Sequence, residues 1–180
     1  MKIRTLQATD AQFYQEIRLK GLKENPEAFG STYEQELEFS LEKVSERITP
    51  SSGKFVLGAF NEEERLMGVL TFVREDGVKT KHKGNVYGMY VSADARGMNI
   101  GRSLLLALIE KAKQLEGLEQ INLTVVSNNE PAKRLYNALG FQVYGTERNA
   151  LKYGGKYFDE NFMVLPINFK SCTKESGTGR

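Results

Sequence analysis

The sequence predicts a single domain of the α/β class, in which helices flank a mixed and mostly antiparallel sheet. In the stretch 86–112, a short apolar run, a glycine-bearing turn and apolar residues at helical spacing predict a strand followed by a helix. In 55–73, two apolar runs joined by the polar turn NEEER are typical of a β-hairpin. The 180 residues contain neither an internal repeat nor a linker of shifted composition, so the length favours one domain.

The first third of the chain predicts one strand and several helices. Residues 2–6 alternate in polarity and predict the first strand. A helix capped by Thr9 or Asp10 should run to about residue 23, where the following Asn-Pro pair ends it. The positions expected to face the core are Phe13, Ile17 and Leu22. A short acidic helix and a helix capped by Ser40 should complete this part.

The remaining elements follow the hairpin. The strand 86–91 and the long helix after it lead to another strand at 121–126. Pro131 suits the first turn of a further helix, which Gly140 stops. A last antiparallel pair of strands is expected around the sequence KYGGK at 152–156.

The turn ARGMNIGR between strand and long helix predicts an anion-binding site. Gly97 and Gly101 allow a close backbone approach, and Asn99 tolerates a positive φ. Backbone N–H groups at a helix start lack intrahelical partners and lie at the positive end of the helix dipole. With Arg96 and Arg102 on either side, a phosphate would be held well. The alternative is an ordinary strand-to-helix turn that carries two glycines.

Two common phosphate-binding motifs do not fit this turn. A P-loop needs four residues between its glycines and then Lys, but here three separate Gly97 from Gly101 and Arg102 follows. The Rossmann spacing of glycines is also missing. The strand INLTVV has no acidic residue to hold Mg²⁺, which weakens the hypothesis of a small nucleotide hydrolase.

Two stretches resemble the GNAT superfamily of N-acetyltransferases. The first matches that family's pyrophosphate-binding pattern [RQ]-x-x-G-x-[GA] with Arg96, Gly97, Met98, Asn99, Ile100 and Gly101, where Asn99 replaces the usual glycine. The second matches the pattern N-x-x-A-x-x-L-Y-x-x-x-G-F with Asn129, Ala132, Leu135, Tyr136, Gly140 and Phe141. The resemblance covers residues 1–168 and leaves 169–180 as a flexible C-terminal tail.

The resemblance implies a GNAT-like sheet whose parallel strands 4 and 5 splay apart. The gap would admit the pantetheine arm of acetyl-CoA, the co-substrate, along the backbone of the Val86 strand. The implied cofactor-binding residues are Met89, Tyr90, Val91, Arg96, Gly97, Met98, Asn99, Ile100, Gly101, Arg102, Ser103, Asn129 and Tyr136.

The implied reaction is direct attack of a primary amine on the thioester. Tyr136 matches the family tyrosine near the sulfur and would act as the acid for the leaving thiolate, although it would also suit an apolar core beside Leu135 and Leu139. Family members often carry a basic glutamate on the fourth strand, where this chain has Asn85, Tyr87 and Gly88. Tyr87 acting through water is therefore the predicted base, and catalysis by approximation alone is the alternative.

The acceptor amine is expected near the segment NPEAF. In the resembling proteins this segment borders the acceptor, so Phe29 and Tyr33 are predicted to line the site, with packing against the core as the alternative. The acidic residues between Glu24 and Glu46 would either attract a cationic amine or form a solvated helix face.

Composition excludes several other classes. The net charge of +2 indicates neither a nucleic-acid nor a membrane partner, and no apolar run is long enough to span a bilayer. His82 lies in a charged loop away from any Cys or His cluster, which predicts no metal. The single Cys172 fits a cytoplasmic protein without disulfides. A monomer and a homodimer are both compatible with the sequence.

The sequence thus predicts a cytoplasmic acetyl-CoA-dependent N-acetyltransferase whose acceptor is a small molecule or a protein N-terminus. The alternative is an acyl-CoA-binding or sensing domain without turnover. The missing strand glutamate favours this alternative, and the retained Tyr136 opposes it.

Overall fold

The computed structural model describes residues 1–167, so the predicted tail at 169–180, including Cys172, lies outside the described part. Within this range the strands are β1 (Lys2–Thr5), β2 (Lys54–Phe60), β3 (Leu66–Arg74), β4 (Lys83–Val91), β5 (Gln120–Val126), β6 (Gln142–Tyr153) and β7 (Lys156–Pro166). The helices are α1 (Ala11–Glu24), α2 (Tyr33–Leu37), α3 (Leu41–Ile48), α4 (Ile100–Lys113) and α5 (Glu130–Ala138). None of these described helices has the length and apolarity needed to cross a membrane.

The strands form one mixed sheet in the order β1-β2-β3-β4-β5-β7-β6. All neighbours pair antiparallel except β4 and β5, which are parallel. This parallel pair is joined through α4, as a strand-helix-strand unit requires. The predicted α/β class with a mostly antiparallel sheet is therefore confirmed.

Both faces of the sheet are covered by helices. On one face α4 packs against side chains such as Leu57 and Phe72, and on the other α1 and α3 pack against Val56 and Val69. Burial on both sides explains why β2 and β3 read as continuous apolar runs.

One predicted core position of α1 is wrong. Phe13 is 48% exposed, whereas Tyr14 beside it is buried at 3%. The buried face carries Tyr14, Ile17, Arg18, Gly21 and Leu22. These positions recur every three or four residues, and Phe13 falls one residue outside that stripe.

Strand β4 is paired on one edge for its whole length and on the other for less than half of it. Within the described chain, its pairing with β5 begins at Lys83 and stops at Val86, opposite Leu123. Its pairing with β3 continues to Val91, with a bulge in which Gly88 and Met89 together face one residue of β3. Gly88 has a φ of +58°. The predicted splaying of the parallel strands is thus present, and the bulge bends β4 where the gap opens.

Candidate functional site

A cleft of about 730 Å³ opens where β4 and β5 separate. Its walls are the free end of β4, the turn before α4, one side of α5 from Pro131 to Tyr136, and the turn between α1 and α2. The two sequence motifs, which are about 30 residues apart, therefore meet across one cavity.

The turn before α4 has the backbone conformation of an anion site. Gly97 has a φ of +81°, and Asn99, which precedes the helix, is left-handed at φ +59° and ψ +15°. The N–H of Ser103 donates a hydrogen bond to the carbonyl of Asn99 at 3.0 Å. The N–H groups of residues 100–102 precede the first intrahelical bond and are available to a ligand. Asn99 thus adopts the left-handed conformation that glycine reaches without strain.

Gly101 leaves space in this cleft because it has no side chain. A Cβ at this position would lie 3.1 Å from Leu135 Cδ2 and 3.1 Å from Met89 Cε. Any larger side chain on Gly101 would extend into the space between β4 and α5, which is where a ligand would lie.

The turn before α4 is tied to the turn after α1. The Arg96 guanidinium donates a hydrogen bond to Asn25 Oδ1 at 3.0 Å. Arg96, Arg102 and Asn25 all line the cleft. Arg102 is exposed, so its charge can accompany a phosphate without the cost of burying an unpaired cation.

The hydroxyl of Tyr136 reaches the gap between the strands from α5. It is buried at 8% exposure and donates a hydrogen bond to the Met89 sulfur at 3.6 Å. The ring contacts Phe141 at a centroid distance of 5.9 Å. Burial raises the pKa of the Tyr136 hydroxyl to about 12. The group therefore keeps its proton at neutral pH and can donate a hydrogen bond inside the cleft.

Tyr90 presents backbone rather than its ring to the cleft. The Tyr90 side chain is buried at 4% exposure, in the core cluster on the α1 side of the sheet, and its hydroxyl donates a 2.6 Å hydrogen bond to Glu24. Burial and the Glu24 carboxylate both raise the pKa of the Tyr90 hydroxyl strongly. The ring thus anchors β4 to α1, which fixes the free backbone edge in place.

Most of the predicted cofactor residues line the cleft together. They are Met89, Tyr90, Val91, Arg96, Gly97, Asn99, Ile100, Gly101, Arg102, Asn129 and Tyr136. Met98 and Ser103 are not among the lining residues, and the Met98 side chain is 59% exposed. Asn129 accepts a hydrogen bond from the Ala132 N–H at 3.2 Å and so caps α5.

Tyr87, the predicted base, lies apart from this cleft. It is 55% exposed and is not among the residues lining the cleft. Partial burial and the charge of Glu75 raise the pKa of its hydroxyl. A hydroxyl that holds its proton more firmly is less suited to remove one from an amine, and Tyr87 as the base remains a prediction.

A second cavity of about 320 Å³ lies beside the first. Phe29 and Tyr33, the predicted acceptor residues, both line it, and Phe29 lines the larger cleft as well. Of the acidic segment 24–46, Glu27 and Glu34 line this cavity. Glu36 instead is buried and ion-paired with Arg18, at 2.8 Å between Glu36 Oε1 and Arg18 Nη2. The acidic segment is therefore not one uniform attracting surface.

Sequence reasoning missed the contribution of the turn after α1. Asn25 and Glu27 line the main cleft, as do Asn128 and Pro131 at the start of α5. In the sequence, Glu27 is one of many glutamates between positions 24 and 46, and nothing local distinguishes it from its solvated neighbours.

Part of the chain is similar in sequence to known acetyltransferases. A mycothiol acetyltransferase of Rhodococcus jostii is 33% identical over 119 residues, which are 66% of this chain and 38% of that protein. An L-methionine sulfoximine/L-methionine sulfone acetyltransferase of Pseudomonas aeruginosa is 33% identical over 82 residues, 46% of this chain and 47% of that protein. The chain thus spans less than half the length of these two curated relatives.

A solved structure shows the same fold. The GNAT superfamily phosphinothricin acetyltransferase of Sinorhizobium meliloti, in complex with AcCoA, is similar with a TM-score of 0.80 at 22% identity, covering 98% of this chain and 94% of that one. The family model described as an acetyltransferase (GNAT) domain matches residues 3–162. Since that match covers most of the chain, the chain belongs to the GNAT family of acetyltransferases, as its two motifs predicted.

Proposed function

We propose that the protein transfers the acetyl group of acetyl-CoA to a primary amine by direct attack. The observation that carries the proposal is the meeting of three features in one cleft: the free N–H groups at the start of α4, the unpaired edge of β4 and the buried Tyr136 hydroxyl. They match the three parts of the co-substrate, namely an anionic pyrophosphate, an extended amide-bearing arm and a thioester.

Different residues along the cleft bind different parts of acetyl-CoA. The turn 96–102 binds the pyrophosphate through directed N–H groups and the Arg96 and Arg102 side chains. The backbone of Met89 to Val91 pairs with the pantetheine amides, and one of its N–H groups polarises the thioester carbonyl. The Tyr136 hydroxyl donates a hydrogen bond to the sulfur as the C–S bond breaks.

Binding of acetyl-CoA is tested by thermal unfolding. At 100 times its dissociation constant, acetyl-CoA should add about 2.7 kcal/mol to the free energy of unfolding. For a domain of this size the melting temperature should rise by roughly 5–11 °C. Gly101→Glu should abolish the rise, because its carboxylate would occupy the space beside Met89 and Leu135 and repel the phosphates.

The matched control is Leu106→Glu, which adds the same charge to an exposed position of α4. This variant should keep the full rise in melting temperature. If the wild-type protein shows no rise with saturating acetyl-CoA, the proposed function is wrong. If acetyl-CoA does bind, product formation with any amine distinguishes an acetyltransferase from a binding domain without turnover.

The other expectations rest on this proposal. We infer a domain that ends near residue 168, an amine as the acceptor, and a monomer or homodimer located in the cytoplasm, where acetyl-CoA would be available. Lack of a metal requirement is part of the same proposal, and full activity in the presence of EDTA would support it.

A further inference from the structure

The two cavities meet at the turn between α1 and α2. Glu27 and Phe29 line both of them, and Glu27 is the residue with a carboxylate at this junction. In the proposed function the thioester lies in the larger cleft. An acceptor in the smaller cavity must therefore pass its nitrogen across the junction to reach the thioester carbon.

The Glu27 carboxylate is not committed to another residue. Among residues 1–167, no hydrogen bond or ion pair joins it to a partner, whereas Glu24 accepts from Tyr90 and Glu36 is ion-paired with Arg18. Glu27 is also half-buried, so a cation beside it would be less screened than on an open surface.

The turn that carries Glu27 is fixed on both sides. On one side Asn25 accepts the hydrogen bond from Arg96, and its carbonyl accepts one from the Ala28 N–H at 3.0 Å. On the other side the Phe29 ring lies 4.7 Å from the guanidinium carbon of Arg18. Because residues on both sides are held, the backbone at Glu27 is fixed beside the junction.

The smaller cavity has an apolar part in a mixed wall, to which Lys23, Glu27, Glu34 and Lys152 add charged side chains. The apolar and aromatic residues that line it are Leu22, Pro26, Phe29, Tyr33, Leu151 and Tyr153. Lys23, one of its charged residues, lies with its ammonium 5.9 Å from the centre of the Tyr33 ring. The apolar part of this wall fits an apolar or aromatic body, and the Glu27 carboxylate at the junction with the larger cleft fits an ammonium group.

Resting on the proposed function, we propose that Glu27 is a catalytic residue, which receives the ammonium of a primary amine with an apolar or aromatic body and removes its proton. The ammonium loses one proton to solvent through Glu27, and the free amine attacks the thioester carbon. As the C–N bond forms and the C–S bond breaks, the second nitrogen proton goes to the leaving thiolate. The products are an amide, coenzyme A as the thiol, and one proton.

The test compares the wild-type protein with Glu27→Gln, which keeps the size of the side chain and removes the base. The first acceptor is 2-phenylethylamine, an alkylamine with a pKa near ~10 that is almost entirely protonated at pH 7. The second is phenylhydrazine, which is mostly neutral at that pH. With 2-phenylethylamine at pH 7, kcat/KM should fall by about 10²–10⁴-fold.

The way in which the loss of kcat/KM depends on pH and on the acceptor identifies the role of Glu27. For Glu27→Gln the loss should shrink as the pH approaches ~10, because the amine then loses its proton without help. It should also be small with phenylhydrazine at pH 7. Glu38→Gln, which removes an equal charge from an exposed residue outside both cavities, should behave as the wild type.

Other outcomes overturn the inference. An equal loss at every pH and with both acceptors would make Glu27 a positioning residue only, and wild-type rates in Glu27→Gln would remove any role. Failure of the wild type to acetylate 2-phenylethylamine, although it binds acetyl-CoA, would overturn the acceptor class. Failure of the wild type to bind acetyl-CoA, measured by the thermal shift, would count against the proposed function itself.

Discussion

Replacing Tyr136 with Phe should slow turnover by a factor on the order of 10 to 100 while leaving the fold intact. The variant keeps the ring that packs against Phe141 and loses the hydroxyl that reaches Met89. A hydrogen bond to a charged group contributes about 1.5–3 kcal/mol, which sets the size of the effect. Steady-state acetylation with a good acceptor measures it.

The raised pKa of Tyr136 decides between a hydrogen bond and full proton transfer. The Tyr136 hydroxyl has a pKa of about 12, and the leaving thiol has a pKa of ~8.5. Full proton transfer from this hydroxyl to the thiolate would therefore cost about 5 kcal/mol. If turnover instead slows by a factor of about 10³ or more, the pKa falls when acetyl-CoA binds and Tyr136 is the acid. Wild-type turnover in Tyr136→Phe would make the tyrosine a structural residue.

Replacing Glu36 with Gln should destabilise the protein by about 3–5 kcal/mol. The carboxylate of Glu36 accepts hydrogen bonds from buried Arg18 and, at 3.0 Å, from Arg47. Without that negative charge, Arg18 would remain in the core as an uncompensated cation. At about 2–4 °C per kcal/mol the melting temperature should fall by roughly 6–20 °C.

Two further variants distinguish the contribution of the buried Arg18–Glu36 ion pair from that of the Arg47–Glu36 ion pair. Arg47→Gln removes a partner whose side chain is 39% exposed, and should change stability by less than about 1 kcal/mol. The double variant Arg18→Met, Glu36→Leu removes both buried charges and should recover much of the loss. An unchanged melting temperature in Glu36→Gln would contradict the assignment of this ion pair as a support of α1 and α2.

The same pair predicts how acid unfolds the protein. Burial pushes the pKa of the Glu36 carboxyl up, but the hydrogen bonds and charges of Arg18 and Arg47 outweigh burial and hold it below its ordinary value. A carboxylate with a lowered pKa stabilises the folded state above its unfolded pKa, near ~4.3, and this stabilisation disappears as the pH falls through the folded pKa. The wild type should therefore lose stability below about pH 4 more steeply than Glu36→Gln.

The parts of the site that depend on local backbone chemistry could be predicted from the sequence. Asn99 and Gly97 adopt positive φ because the turn requires it, and Pro131 and Gly140 bound α5 through preferences of single residues. The hairpin strands were recognisable because both sheet faces are covered and the runs are apolar throughout.

The parts that depend on distant residues could not be predicted. Arg18 and Glu36 are 18 positions apart on different helices, and each alone resembles a surface charge. Glu27 becomes distinctive only when the fold brings two cavities to its side. Strand β6 runs to Tyr153 through a largely polar sequence, which by itself does not favour a strand. Its pairing with β7 stabilises the strand instead.

The half-paired strand β4 has a consequence for the solubility of the protein. Unpaired strand edges usually lie at the outside of a sheet, where they invite pairing with other chains and aggregation. Here the outer strands are β1, only four residues long, and β6, whose register is broken by bulges. The unpaired part of β4 instead lies inside the sheet, between β4 and β5, and it lines the cleft that a ligand would enter. The protein thus keeps a strand edge open for a ligand without offering it to its neighbours in a crowded solution.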